Sequence, residues 1–176
     1  MSVDPFSVLG VEPRFDLDLD ALERRYREVS RQVHPDRFAQ AGAAERRRAL
    51  GRAVDVNAAW RTLRDPLARA EALLAKLGVA SNERAPVSQA LLMDFLELRE
   101  ELAEARADAA AVRRLEATVR EREAGATTRL REALDRLAAP TDPALVAPAL
   151  EALGELRYVR RFLDEVRAID EERENA

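Results

Sequence analysis

Along most of this chain apolar residues recur every three or four positions, and no segment alternates apolar with polar as a half-buried strand would. That periodicity directs the chain into helices. Ala, Leu, Glu and Arg dominate, and aromatics make up only 5% of the 176 residues. This is the composition of helices rather than sheets. The fold class predicted is all-α.

The punctuation between apolar stripes marks where helices begin and end. "DPFSVLGVEP" reads as a short helical turn closed by Gly10 and stopped by Pro13. In "DLDLDALERRYREVSRQVH", Asp18 suits an N-cap and Asp20 the positive first turn. Leu19, Leu22, Tyr26, Val29 and Val33 form one apolar stripe, with Arg24, Arg27 and Arg31 on roughly the opposite side. This helix must end near His34, because Pro35 disfavours helical geometry in the residue before it. A second long helix is expected over residues 43–64, with Ala53, Val56, Asn57, Trp60 and Leu63 on its buried face. Joined by a short link, the two make an antiparallel pair. Asp65-Pro66 breaks the second, and "PLARAEALLAKLG" makes a short helix ending at Gly78.

"GVASNERAPVS" is polar, is broken by Pro86, and reads as a linker. Three more helices follow, over residues 88–106, 108–138 and 143–171. The middle one carries a stripe of Val112, Leu115, Val119, Ala126, Leu130 and Leu137, and "AAPTDP" separates it from the last. Short connections between long helices predict an antiparallel three-helix bundle. The expected organisation is an N-terminal domain over 1–76, a linker over 77–87 and a C-terminal domain over 88–176.

Charge and cysteine content narrow the function. The net charge is −4, and it is uneven: residues 1–75 carry 13 basic and 12 acidic groups, the remainder 16 and 21. An acidic whole argues against nucleic acid as the main partner. There is no cysteine, which excludes disulfides, thiolate zinc sites, cysteine nucleophiles and self-ligated iron–sulfur clusters. No apolar run approaches the roughly 20 residues of a membrane span. "MSVDPFSVLG" lacks the basic and apolar regions of a signal peptide, so a cytoplasmic location is expected.

The only histidine, His34, stands in "RQVHPDRFAQ" beside Pro35 and Asp36. Asp36 could orient it as a general base, but no nucleophile is evident nearby. One His with one Asp is too few ligands for a metal site. The plain alternative is a helix-terminal histidine at the negative end of the dipole. Read alone, the tripeptide favours that last reading over catalysis, so no catalytic residue, metal or cofactor is expected.

Its setting shifts the choice. An apolar and arginine-striped helix, then His34-Pro35-Asp36, then Arg37-Phe38, a loop and a helix ending in "VNAAWRTLRDP" resemble the J-domain, the module that docks on ATP-dependent chaperones of the DnaK class. Tyr26 and Phe38 match its aromatic or apolar core positions. Asn57, Ala58 and Trp60 match its third helix, and Asp65-Pro66 its usual stop. The resemblance implies that His34, Pro35 and Asp36 engage the chaperone's nucleotide-binding domain near its interdomain linker. Asp36 would accept charge-assisted hydrogen bonds from an arginine of the partner. Arg24, Arg25, Arg27, Arg31 and Arg37 would offer a positive face to it. For most of these arginines taken singly, a solvated helix face is an equally good account.

"ALLMDFLELREEL", residues 90–102, is richer in apolar residues than one buried stripe needs. Leu91, Phe95, Leu98 and Leu102 suffice for a bundle core. Leu92, Met93 and Leu96 lie off that stripe, beside Glu97, Glu100 and Glu104. Such a patch suits a protein-binding surface, while a helix touching two neighbours would bury both faces. Pattern alone leaves these two readings even. With the upstream "AWRTLRDPLARAEALL", the string resembles the HscB (Hsc-twenty) family of J-proteins, which deliver the iron–sulfur scaffold IscU to the chaperone HscA. The likeness covers nearly the whole chain, though 106–140 matches weakly. It implies that Leu92, Met93, Leu96, Glu97, Glu100 and Glu104 bind an IscU-like scaffold, with an aromatic on the last helix. Tyr158 in "LRYVRRFLDEV" is the better match and Phe162, one turn on, the second. The partners implied are an HscA-like chaperone and an IscU-like scaffold, with no nucleic acid and no membrane, in a bacterial cytoplasm. Other readings are a J-protein with a general unfolded client, an arginine-stripe nucleic-acid binder and, last, a hydrolase built on His34 and Asp36.

Overall fold

The computed structural model describes residues 3–38, 40–79, 87–137 and 143–175. Among them there are seven α-helices and no strand: α1 (Pro5–Leu9), α2 (Leu19–Val33), α3 (Ala43–Arg64), α4 (Pro66–Lys76), α5 (Gln89–Glu104), α6 (Ala109–Asp135) and α7 (Pro143–Glu174). Short 3₁₀ turns occupy Pro35–Phe38 and Ala105–Ala107. The chain divides into two compact units, residues 1–80 and 81–176. Residues 80–86 of the expected linker lie outside the described residues.

In the first unit Asp18 caps α2 where the sequence places a cap, and Asp65, expected only as a break with Pro66, caps α4. The Asp18 carboxylate accepts from the Asp20 and Ala21 N–H groups, and Asp65 accepts from Leu67 and Ala68. Each satisfies donors that a helix start leaves orphaned. Helix α1 closes at Gly10, whose φ of 64° is the left-handed conformation that favours glycine. The hairpin of α2 and α3 is fixed by Tyr26, whose ring stacks on Trp60 with centroids 4.9 Å apart. Helix α1 packs on α3 as α2 does. Phe6, Leu9, Leu22, Val56, Leu63 and Leu74 form the core, each fully buried leucine worth ~1.5–3 kcal/mol.

The α2 stripe is less buried than its periodicity suggests. Only Leu22 is fully buried; Tyr26, Val29 and Val33 are half-buried and Leu19 is exposed. The cause is topological: beyond its first turns α2 has α3 as its main neighbour. Asn57, expected on the buried face of α3, is exposed, and its side chain bonds sideways to Tyr26. Arg69 is an unexpected buried cation, with its Nη1 donating to the Leu63 carbonyl at 2.7 Å and its guanidinium 5.2 Å from the Phe15 ring. Burial pushes its pKa down, against the pull of Asp16 and Asp65.

In the second unit cross-helix pairs reveal the directions. Arg99 pairs with Glu165 at 2.8 Å and Arg106 with Glu172, so α5 and α7 run parallel. Arg122 pairs with Asp94 and Arg129 with Glu155, so α6 runs antiparallel to both. Phe95, Leu102, Val112, Val119, Val159, Phe162, Leu163 and Val166 fill the space between the three. Gly154 of α7 permits a close approach: a Cβ there would stand 2.5 Å from Val87 Cγ1, just ahead of α5.

Candidate functional site: a docking turn and an apolar ledge

The first candidate is the turn after α2. His34 is the last residue before the turn, with φ −60° and ψ 131°, the extended geometry that a following proline imposes. Pro35 opens the 3₁₀ turn, which the Arg37 N–H closes on the His34 carbonyl at 3.1 Å. The Asp36 N–H donates to His34 Nδ1 at 3.3 Å. The His34 side chain is 57% exposed and that of Asp36 89%, with their facing atoms 3.5 Å apart. Two polar groups are thus held on a short, self-bonded turn and both reach solvent.

The arginines around this turn divide. Arg24 and Arg37 are exposed and form no ion pair among the described residues. Arg27 pairs with Glu23 at 2.5 Å, and Arg31 Nε donates to the Arg27 carbonyl at 3.3 Å; both remain exposed. Arg25 is different. Its Nε donates to the Leu9 carbonyl at 2.8 Å and its Nη1 to Glu28. It ties α2 to the end of α1, so its guanidinium already has structural partners.

The second candidate is the outer face of α5. Leu92, Met93 and Leu96 are 40%, 49% and 49% exposed. Phe95 and Leu102 on the opposite face are buried, and Leu91 and Leu98 pack partly against the same core. The two faces that the sequence left open are therefore one buried and one free. Glu97, Glu100 and Glu104 are exposed beside the apolar residues and have no partner among the described residues.

On α7, Tyr158 is half-buried, its ring 5.6 Å from that of Phe95 and capped by the Arg161 guanidinium at 5.6 Å. Phe162 is not on this surface. It is 1% exposed, inside the core with Phe95 and Val159, so the expected contact role is corrected to one of packing. Tyr158, four residues earlier and about 40° round the helix, lies at the edge of the same core-facing side.

Two residues that the sequence reading overlooked hold the ledge in place. Arg122 places Nη1 and Nη2 at 3.2 and 3.1 Å from Asp94 Oδ2, with its guanidinium 5.7 Å from the Phe95 ring. Arg99 clamps the next turn to Glu165. Their partners lie 28 and 66 residues away, so no local pattern could reveal them. Among the described residues no cluster of three or more metal-ligating side chains occurs. No described helix is long and apolar enough to cross a membrane.

Comparison with known proteins gives concordant matches to both units. A family model described as the DnaJ domain matches residues 4–71, and one described as the HSCB C-terminal oligomerisation domain matches residues 87–167. A co-chaperone protein HscB homolog from Bordetella petrii is 47% identical over 105 residues, which are 58% of this chain and 62% of that relative. The chain thus spans less than two thirds of that relative's length in the match. Among solved structures, chaperone HscB from Vibrio cholerae superposes with a TM-score of 0.84 at 29% identity, covering 97% of this chain and 99% of the other. Human co-chaperone protein HscB gives a TM-score of 0.84 at 28% identity, covering 95% and 82%.

Proposed function

The chain belongs to the HscB family of J-domain co-chaperones, and from that membership we propose that it binds an IscU-like iron–sulfur scaffold, delivers it to an HscA-like chaperone and stimulates that chaperone's ATPase. The observation that carries this reading is the coexistence of two exposed features in two separate units: the His34–Asp36 turn in one and the acid-edged α5 ledge in the other.

The turn suits docking. Pro35 has no N–H and a fixed φ, and the turn closes on its own hydrogen bonds, so little conformational freedom remains to be lost on binding. Asp36 presents a solvated carboxylate for a bidentate arginine of the chaperone. Arg24 and Arg37, with Arg27 and Arg31, steer an acidic partner surface and make the on-rate salt-sensitive. The chemistry of ATP hydrolysis belongs to the chaperone; the turn favours the conformation competent for it.

The ledge suits cargo. Leu92, Met93 and Leu96 supply a desolvating centre, and Glu97, Glu100 and Glu104 a polar rim that selects a basic surround. Tyr158 extends the surface from α7. The proposed domains are the J-domain over 1–76 and the scaffold-binding domain over 88–176.

The test is steady-state ATP hydrolysis by an HscA-like chaperone with this protein, with and without an IscU-like scaffold. Stimulation that rises further with scaffold is expected. Equal stimulation by any unfolded client, with no preference for the scaffold, would replace the reading with that of a general J-protein.

A further inference from the structure

The rim of the α5 ledge is not of one sign. The two ion pairs that join α5 to α7, Arg99–Glu165 and Arg106–Glu172, each link residues 66 apart in sequence. In that parallel register Tyr158 stands level with Leu92 and Arg161 with Phe95. At about 100° per residue, Arg99 and Arg106 lie on one side of Leu92 and Leu96, and Glu97 and Glu104 lie on the other. The exposed leucines therefore run between α7 and the carboxylates. Arg161 is a cation on the α7 side. It is exposed and forms no ion pair among the described residues. The acids that follow it on α7 are engaged elsewhere, Glu165 with Arg99 and Asp164 with Arg167. The neighbouring Arg157 and Arg160 have partners of their own. The Arg161 guanidinium rests 5.6 Å from the centroid of the Tyr158 ring. That contact holds a long side chain in one orientation and leaves its N–H groups to donate, so less freedom is lost when a partner arrives.

We propose that Arg161 is a specificity-determining residue of the cargo surface, pairing with a carboxylate that the scaffold carries beside its apolar contact. This rests on the cargo reading above and deepens it. The scaffold surface that fits the ledge then has an apolar centre over Leu92 and Leu96, an acidic group on the α7 side, and basic groups on the side of Glu97 and Glu104. The carboxylate accepts charge-assisted hydrogen bonds from the guanidinium. The two signs also set the cargo's orientation. Turned through half a circle on the same leucines, the scaffold would bring acid against acid and base against base, which costs affinity. A leucine strip alone would accept either orientation, because apolar contact is not directional.

The experiment is titration calorimetry of the full chain against an IscU-like scaffold, at low and at high salt, for the unmodified protein and for Arg161→Ala, Arg161→Glu and Arg161→Lys. Arg161→Ala should weaken binding about two- to five-fold, the range of one exposed ion pair, and Arg161→Glu should weaken it further. Arg161→Lys should recover part of the loss. Each difference should shrink as salt rises. Equal affinity in all four proteins overturns the proposal. So does a tighter Arg161→Glu complex, which would require a cargo rim that is basic on both sides. Equal, salt-independent losses in Arg161→Ala and Arg161→Glu overturn it as well, because the arginine would then act only by packing on the Tyr158 ring. The Leu92→Ala, Leu96→Ala protein keeps the two readings apart. If it loses affinity while the Arg161 variants keep theirs, the role of Arg161 falls and the cargo reading stands. An unmodified protein that does not bind the scaffold overturns both.

Discussion

The Tyr26 hydroxyl donates a 2.8 Å hydrogen bond to Asn57 Oδ1 while the Tyr26 ring stacks on Trp60, one turn along the same helix. One side chain of α2 thus grips two of α3 and sets the hairpin that presents the His34 turn. A double-mutant cycle of Tyr26→Phe and Asn57→Ala, read by urea unfolding, should give a coupling of about 0.5–1 kcal/mol, since the bond is solvent-exposed. Trp60→Ala should cost more, through lost ring area. A coupling near zero would mean that stacking alone sets the hairpin.

His34→Gln is expected to abolish stimulation of the chaperone's ATPase with unfolding unchanged within about 0.5 kcal/mol, because the side chain is exposed and is not among the buried core residues. Asp36→Asn should behave alike, keeping shape while removing charge. Retained stimulation in either variant would remove that residue from the docking surface.

On α5 the two faces should respond oppositely. Leu92→Ala with Leu96→Ala should weaken scaffold binding in calorimetry at little cost in stability. Phe95→Ala, between them in sequence but 2% exposed, should cost about 3–5 kcal/mol in unfolding free energy. Unchanged scaffold affinity in the double variant would mean that the cargo uses another surface.

Arg24 and Arg25 are adjacent in sequence and should differ in kind. Arg24→Ala should reduce stimulation, most at low salt, with stability unchanged. Arg25→Ala breaks the bond to the Leu9 carbonyl and should lower stability by about 1 kcal/mol. Thermal unfolding together with the ATPase assay separates the two effects.

Acid sensitivity should trace in part to Asp4. Burial acts to raise its pKa. The Lys76 ammonium at 2.6 Å, the Ser7 hydroxyl and the Phe6 N–H outweigh that and hold the carboxyl below its ordinary value of 3.8. Its contribution to stability is therefore complete above the ordinary carboxylate pKa of about 4, and it is lost as pH falls through the lower folded value. Asp4→Asn should flatten the acid arm of the thermal-stability profile of the first unit. An unchanged acid slope would assign the loss to other carboxylates.

Much of this was open to a reader of the sequence because it is governed by local chemistry. Asp18 caps α2 because a short carboxylate before an apolar run meets orphaned N–H groups. Pro35 and Pro66 mark boundaries because proline lacks an N–H and restricts the residue before it. The His34–Pro35–Asp36 turn and the string at 90–102 are contiguous, so their resemblance to a family could be seen directly.

What the sequence by itself determined, then, was helix placement, the all-α class and a set of candidate residues for docking and for cargo. Only the tertiary structure decided which of them face solvent. It freed Leu92, Met93 and Leu96, placed Phe162 in the core, and committed Arg25 to the Leu9 carbonyl. It also supplied Arg99 and Arg122, whose partners sit on other helices. The physical reason is one of range. Caps and stops act over three or four residues, while exposure depends on neighbours brought together from distant parts of the chain, and helical periodicity carries no record of which neighbours those will be.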